Sequence, residues 1–314
     1  MLRFAAICAL FSAAYGQKPA PAFPRMQVIP LPDHQASFQR DGVEVARYYF
    51  SPTLKRPFLF PVIGPSGRPL TRMGHPHDPE THSHHNSVWI AHNDVKGVNF
   101  WEDRGLGRIV HQRIERFDDG PDAASCLSVN DWLGPDQKPI LTERRLITVQ
   151  SLPNNELLIL IDMQLEPQRA DVIFGKTPFG LVGVRMAKTI GVNDGGGVIR
   201  NSEGAVDEPN ILWKHAKWVD YSGPITPTAH EGITLMDHPS NPNHPTGFHV
   251  RRDGWMGTSL TVDAPRTVPK GEHLRLRYGL YVHGGHPALP ALNERWQQFT
   301  RDALPDLVVH RKPN

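Results

Sequence analysis

The sequence is poor in cysteine: two residues in 314, Cys8 and Cys126. Cys8 falls in an N-terminal segment that reads as removable, so the mature chain keeps one thiol and has no intrachain disulfide. A chain of this length does not need one, because apolar burial alone can hold its core. Long hydrophobic runs are scarce too. Phe4 to Ala14 is 11 residues, whereas a membrane-spanning helix takes about 20. Arg3 precedes this run and the small-x-small triplet Ala14-Tyr15-Gly16 follows it, the layout of a secretory signal peptide over residues 1–16. The expected product is a soluble protein, periplasmic or secreted, with no membrane span after cleavage. Charge of one sign is also lacking. With 34 basic and 32 acidic residues the net charge is +2, which gives no electrostatic case for a nucleic-acid partner. The short basic pairs Arg144-Arg145 and Arg251-Arg252 read as solvated faces.

Several chemical signatures are missing as well. There is no G-x-S-x-G elbow, no H-E-x-x-H zinc helix and no glycine-rich phosphate loop opening a helix. Gly195-Gly196-Gly197 reads as a turn. What remains is acid–base chemistry by His and Asp, or metal chemistry by clustered histidines.

The 30 prolines and 27 glycines are dispersed rather than clustered, as expected of many turns between short strands. Residues 17–40 read as an irregular, Pro-rich leader, followed by a single domain over 41–314. Strand character recurs at 43–50, 57–63, 88–92, 109–117, 125–132, 140–149, 156–165, 211–221, 257–262 and 272–283. From Leu274 to Val282 apolar residues fall on every second position, the period of a half-buried strand. Leu157 to Leu165 is nearly all apolar, as in a strand covered on both faces. Only Pro290 to Leu304 has helical spacing, with Leu292, Trp296 and Phe299 on one face. The expected architecture is all-β, an antiparallel β-sandwich of two sheets with one short C-terminal helix.

The densest chemistry lies in HPHDPETHSHHNSVWIAHNDVKGVNFW. Six of the 17 histidines fall between 75 and 92: His75, His77, His82, His84, His85 and His92. Imidazole exchanges protons near neutral pH and is the commonest transition-metal ligand. The segment runs straight into an apolar strand, which is how a loop is anchored to hold a site. Trp89 and Trp101 fit either a core or a stacking platform for a sugar ring.

The block HSHHNSVWIAHNDVKGVNFW resembles the hallmark of the bacterial family catalogued as "methane oxygenase PmoA". The blocks KTPFGLVGVRMA (176–187), KWVDYSG (217–223), GITLMDHPSNPNHPTGFHVR (232–251) and LRLRYGLYVHGG agree with it, over roughly residues 40–290. The resemblance implies an exported β-sandwich of the galactose-mutarotase supersandwich type, as found in carbohydrate-active enzymes. It does not imply methane oxidation, which belongs to a multi-span membrane protein.

These blocks supply the candidate site residues. His84, His85, His92, Asp220 and His238 are the candidate catalytic groups. His77, Trp89, Lys176, Arg185, Asn241 and Arg251 are the candidate substrate contacts, with His249 and His283 as weaker ones. The leading expectation is a carbohydrate-active enzyme of epimerase, isomerase or lyase type, using His and Asp as acid and base on a small-molecule or oligosaccharide substrate. A second is a metalloenzyme, oxidoreductase or hydrolase, holding a divalent transition metal (Zn, Cu or Fe) with His77, His82 and His84. A third is a non-catalytic carbohydrate-binding protein.

Overall fold

The computed structural model describes residues 23–308; the expected signal peptide lies outside them. In chain order the strands are β1 (Met26–Leu31), β2 (Gln35–Arg40), β3 (Val43–Tyr49), β4 (Phe58–Val62), β5 (Val88–His92), β6 (Arg108–Asp118), β7 (Ala123–Leu133), β8 (Pro139–Ser151) and β9 (Leu157–Pro167). They continue as β10 (Val172–Phe174), β11 (Gly180–Arg185), β12 (Val198–Asn201), β13 (Trp218–Pro224), β14 (His230–Asp237), β15 (Gly247–Arg251), β16 (Trp255–Ser259), β17 (Arg266–Val268) and β18 (Leu274–Gly284). Two one-turn helices, α1 (Val192–Gly195) and α2 (Glu208–Ile211), precede the longer α3 (Leu289–Arg301). No helix among the described residues is long and apolar enough to cross a membrane.

Two eight-stranded sheets form the sandwich. The first runs β1-β2-β3-β4-β5-β11-β16-β15 and the second β12-β13-β14-β18-β9-β8-β7-β6, with β10 and β17 as a separate pair. Pairing is antiparallel between all strand neighbours. The expected antiparallel sandwich is therefore present. Alternation decides which side chains enter the space between the sheets. Leu274, Leu276, Tyr278, Leu280 and Val282 of β18 point inward beside Leu157, Ile159, Ile161 and Met163 of β9. The other face of β9 is apolar for a separate reason: Leu158 and Leu160 lie under Leu292 and Phe299 of α3. Burying each of those two helix residues contributes about 1.5–3 kcal/mol.

Two expectations need correction. The stretch 17–40 is not irregular throughout, because β1 and β2 form a hairpin whose loop holds Asp33 and His34 at φ 59° and 58°. Pro30 is accommodated because β1 is an edge strand, where a missing N–H goes unnoticed. The strand expected at 211–221 starts only at Trp218. Before it, Pro209 at the first turn and an Asp207 side chain accepting from Glu208 N start the helical turn α2.

Candidate functional site

Strand alternation also sends Trp89, Ala91 and Trp255 away from the inter-sheet core, onto the outer face of the first sheet. There they join Phe58 and Trp101 in an aromatic floor. β11 makes room for the Trp89 indole by carrying Gly183 opposite it: a Cβ at Gly183 would lie 2.4 Å from the ring. The histidine segment folds over this floor as a loop between β4 and β5. Its ends are tied by a Met73–Asn86 bridge and by Gly74 N donating to His85 O at 2.8 Å. The buried Arg56 clamps the same loop to the next one. Its guanidinium donates to Asn86 Oδ1 (2.6 Å), Asp103 Oδ1 (3.1 Å), Phe100 O (3.2 Å) and Trp101 O (2.8 Å).

Between these loops and the tip of the β15–β16 hairpin lies a cleft of about 570 Å³, within the range of small-ligand sites. His82, His84, His85, Trp101, Phe179, His249, Arg251, Asp253 and Trp255 are among its lining residues. His85 stacks on Trp89 and Trp255, with centroids 5.2 and 5.8 Å away. His249 meets Trp255 edge-on at 4.1 Å.

Burial keeps several of these imidazoles neutral. It is the largest cause in each case, and neighbouring guanidinium groups add to it. His84 is pulled down to about 4, with Arg56 helping. His249 is pulled down to about 3, with Arg251 helping. His85 is shifted far downward by burial, then by His84 and Arg185. A neutral imidazole offers one donor and one acceptor, the pairing that a hydroxyl group needs.

Hydrogen bonds separate structural histidines from available ones. His75 Nδ1 accepts from His77 N and Asp78 N, both at 3.0 Å, so its proton sits on Nε2 and is donated to Asp253 Oδ2 at 2.7 Å. His75 has no nitrogen left over and orients Asp253. Arg185 Nη1 holds the other carboxylate oxygen at 2.9 Å. Burial acts to raise the Asp253 pKa, but Arg185 and His75 outweigh it and the net shift is downward. His82 is arranged differently. Its Nδ1 lies 2.9 Å from Asp78 Oδ2, while Nε2 has no protein partner among the described residues. Asp78 is held down to about 2, chiefly by hydrogen bonds from the Thr81 hydroxyl and backbone and then by His82. A carboxylate on Nδ1 with Nε2 left open is the arrangement of an oriented proton acceptor.

The other expected site residues scatter. His77 turns outward to Asp194 (2.7 Å) with its side chain 58% exposed. His92 is fully buried: Nδ1 accepts from Asp94 N at 3.1 Å and Nε2 donates to Thr261 Oγ1 at 2.9 Å, so it pins a turn outside the cleft. Trp89 lies beneath His85 as part of the floor, and Arg185 is buried below Asp253. Lys176 is exposed and away from the cleft. Arg251 lines the rim, paired with Glu208 at 2.7 Å, so the pair Arg251-Arg252 is not simply a solvated face.

Asp220, His238 and Asn241 do not join this cleft. Asp220 is on the second sheet, where its carboxylate accepts from Arg200 (2.6 Å), His283 (2.8 Å), Thr234 (3.0 Å) and Ser222 (3.1 Å). His238 packs edge-on against Phe299 of α3. Asn241 bonds Asp237 and the Arg277 backbone on both its amide atoms. The metal set is corrected too: His77 points away from His82 and His84, and among the described residues no three His, Cys, Asp or Glu side chains converge on one metal position.

Sequence reasoning left Asp78 and Asp253 without a role, gave His82 no catalytic role, and overlooked Trp255 and Arg56. Asp253-Gly254 was the available signal. An Asp-Gly pair between two short apolar runs marks a hairpin tip, and here that tip carries the cleft carboxylate.

The fold and this cleft define an antiparallel β-sandwich protein with an aromatic, histidine-walled pocket on one outer face. The chain belongs to a family described as a family of unknown function (DUF6807), matched over residues 35–297. No curated protein matches the chain. Among solved structures it is similar to a mutant of heparan sulfate lyase HepC from Pedobacter heparinus, at TM-score 0.39 and 10% identity, covering 87% of this chain and 38% of the lyase. It is also similar to a GalM/aldose epimerase homologue from C. elegans, at TM-score 0.35 and 8% identity, covering 85% of this chain and 100% of the homologue. A third is a galactose mutarotase related enzyme from Lactobacillus acidophilus, at TM-score 0.32 and 10% identity, covering 82% and 97%. Likenesses this distant carry neither chemistry nor substrate to this chain.

Proposed function

We propose that the protein is an exported carbohydrate-active enzyme that moves a proton on a sugar ring, in the manner of an epimerase, isomerase or lyase. The observation that carries this reading is His82 on the wall of the aromatic cleft, with the Asp78 carboxylate behind it on Nδ1. In this mechanism His82 Nε2 takes the proton from the anomeric hydroxyl as its electron pair forms the carbonyl and the ring C–O bond opens, or from a carbon next to a carbonyl to leave an enolate. The imidazolium, stabilised by the Asp78 carboxylate, then returns the proton to the ring oxygen, to the carbon or to the departing oxygen. His84 and His249, neutral at pH 7, pair with hydroxyls, and the indoles of Trp101 and Trp255 pack on the C–H faces of the ring. Asp253, held by His75 and Arg185, stays ionised as an acceptor for a sugar hydroxyl. Export rests on the signal-peptide pattern of residues 1–16. The resemblance to the family catalogued as "methane oxygenase PmoA" is retained as a proposed kinship with no oxidation chemistry attached.

The test is proton NMR of D-glucose, D-galactose, D-glucuronate and their disaccharides in deuterated water with the protein. The expected result is loss of a ring C–H signal, faster anomer exchange or a new vinyl proton for at least one sugar. His82→Gln should slow that reaction by about 10²–10⁴-fold, and Asp78→Asn should slow it less. Sugars that bind without any of these changes would instead support a carbohydrate-binding protein.

A further inference from the structure

Trp213 is 51% exposed, unlike the indoles of the cleft floor. Its backbone is in the left-handed region at φ 61°, where a bulky side chain is rarely found. The fold holds it there: Trp213 N donates to Phe248 O at 2.7 Å, and the neighbouring Lys214 N and Phe248 N bond Ile211 O and Lys214 O. These contacts dock the turn onto β15 without giving the indole a core to fill. The ring meets His249 edge-on, with centroids 6.1 Å apart. His249 in turn lines the cleft and touches Trp255. Glu208 of α2, a few residues earlier, also lines the cleft and holds Arg251. Trp213 therefore stands at the cleft edge, one imidazole away from the aromatic floor. A constrained conformation that still leaves half of the indole exposed, next to a cleft, points to a ligand rather than to packing.

We infer that Trp213 is the platform of a second sugar subsite, so that the cleft takes oligosaccharides in preference to single sugars. The inference rests on the carbohydrate reading of the cleft. One ring of the glycan sits in the corner where the Trp101 and Trp255 indoles meet at 81°, and the next stacks its C–H face on the Trp213 indole, with His249 between them. The subsite is blind to most substituents, because stacking recognises the face of the ring, and its effect is on chain length.

The test uses the full chain on an array of neutral and acidic glycans from mono- to hexasaccharide, followed by titration with the mono- and trisaccharide of the series that binds. The wild type should gain about tenfold in affinity from mono- to trisaccharide. Trp213→Ala should abolish that gain and leave monosaccharide affinity unchanged, while Trp213→Phe keeps most of it. Trp213→Gly removes the indole and relieves the left-handed strain. It should lose the gain while melting no lower than the wild type, which separates the effect from misfolding. A gain that survives Trp213→Ala and Trp213→Gly would overturn the inference and leave the cleft reading intact, as would equal losses for both sugars. Binding of no glycan by the wild type would overturn the cleft reading and the subsite together.

Discussion

Two of the clusters of histidine and carboxylate among the described residues, one on the outer face of each sheet, are built on opposite plans. On the second sheet, Asp220 is fully buried and accepts four hydrogen bonds, and His283 beside it has both ring nitrogens engaged. On the first sheet, His82 keeps one nitrogen open, and His84 and His85 sit against an aromatic floor beside a cleft. The residue types are the same. What differs is whether the protein itself uses up their hydrogen-bonding capacity. A carboxylate satisfied on every side stabilises a fold, whereas an oriented imidazole with an open nitrogen can act on something else.

That comparison can be broken most severely at Asp220. Asp220→Ala leaves Arg200 and His283 without their carboxylate, and a loss of about 3–5 kcal/mol in urea unfolding is expected. Arg56→Met is the next largest. It removes the clamp between the two cleft loops and should cost about 2–3 kcal/mol, with faster proteolysis near Asp103. Gly183→Ala pushes a methyl into the Trp89 ring, and a cost of about 1–3 kcal/mol is expected together with weakened glycan binding. His84→Ala should be the mildest for stability, within about 1 kcal/mol in the same unfolding assay.

Acid should separate the clusters in a defined order. In the unfolded chain His84 and His249 gain protons near pH 6.5, but in the folded cleft only near 4 and 3. Between those values the unfolded state binds more protons, so cleft stability falls as pH drops from about 6.5 towards 4. For Asp220 burial acts to raise the pKa, but His283 and Arg200 outweigh it and hold the group down to about 2. Its contribution is present above about pH 4 and is lost only as pH falls towards 2. Hydrogen exchange at pH 5 should therefore loosen residues 75–86 before β13. Loosening of β13 first would contradict the assignment.

Much of the sandwich is legible in the sequence because periodicity is a local signal. The alternation in β18 and the double-sided apolar run of β9 both appear at the expected places. The hairpin of β1 and β2 is concealed by prolines that an edge strand tolerates. For the site, the histidine segment stands out by composition, and His84 and His85 do line the cleft. Its partners come from far along the chain: Arg56 lies 28 residues before His84, and Asp253 lies 178 residues after His75. No local pattern announces such meetings. The choice between His82, with an open nitrogen, and His92, with none, depends on which backbone amides and hydroxyls face each ring. The assignment of Asp220 to a different sheet likewise follows from topology, not from spacing.

The most direct test is saturation-transfer NMR of a bound glycan on three proteins: wild type, His84→Ala in the cleft and Ser222→Ala in the second network. Binding is expected to fall sharply in His84→Ala and to stay at the wild-type level in Ser222→Ala, with all three folded. Binding retained in His84→Ala, or lost in Ser222→Ala, would contradict the account.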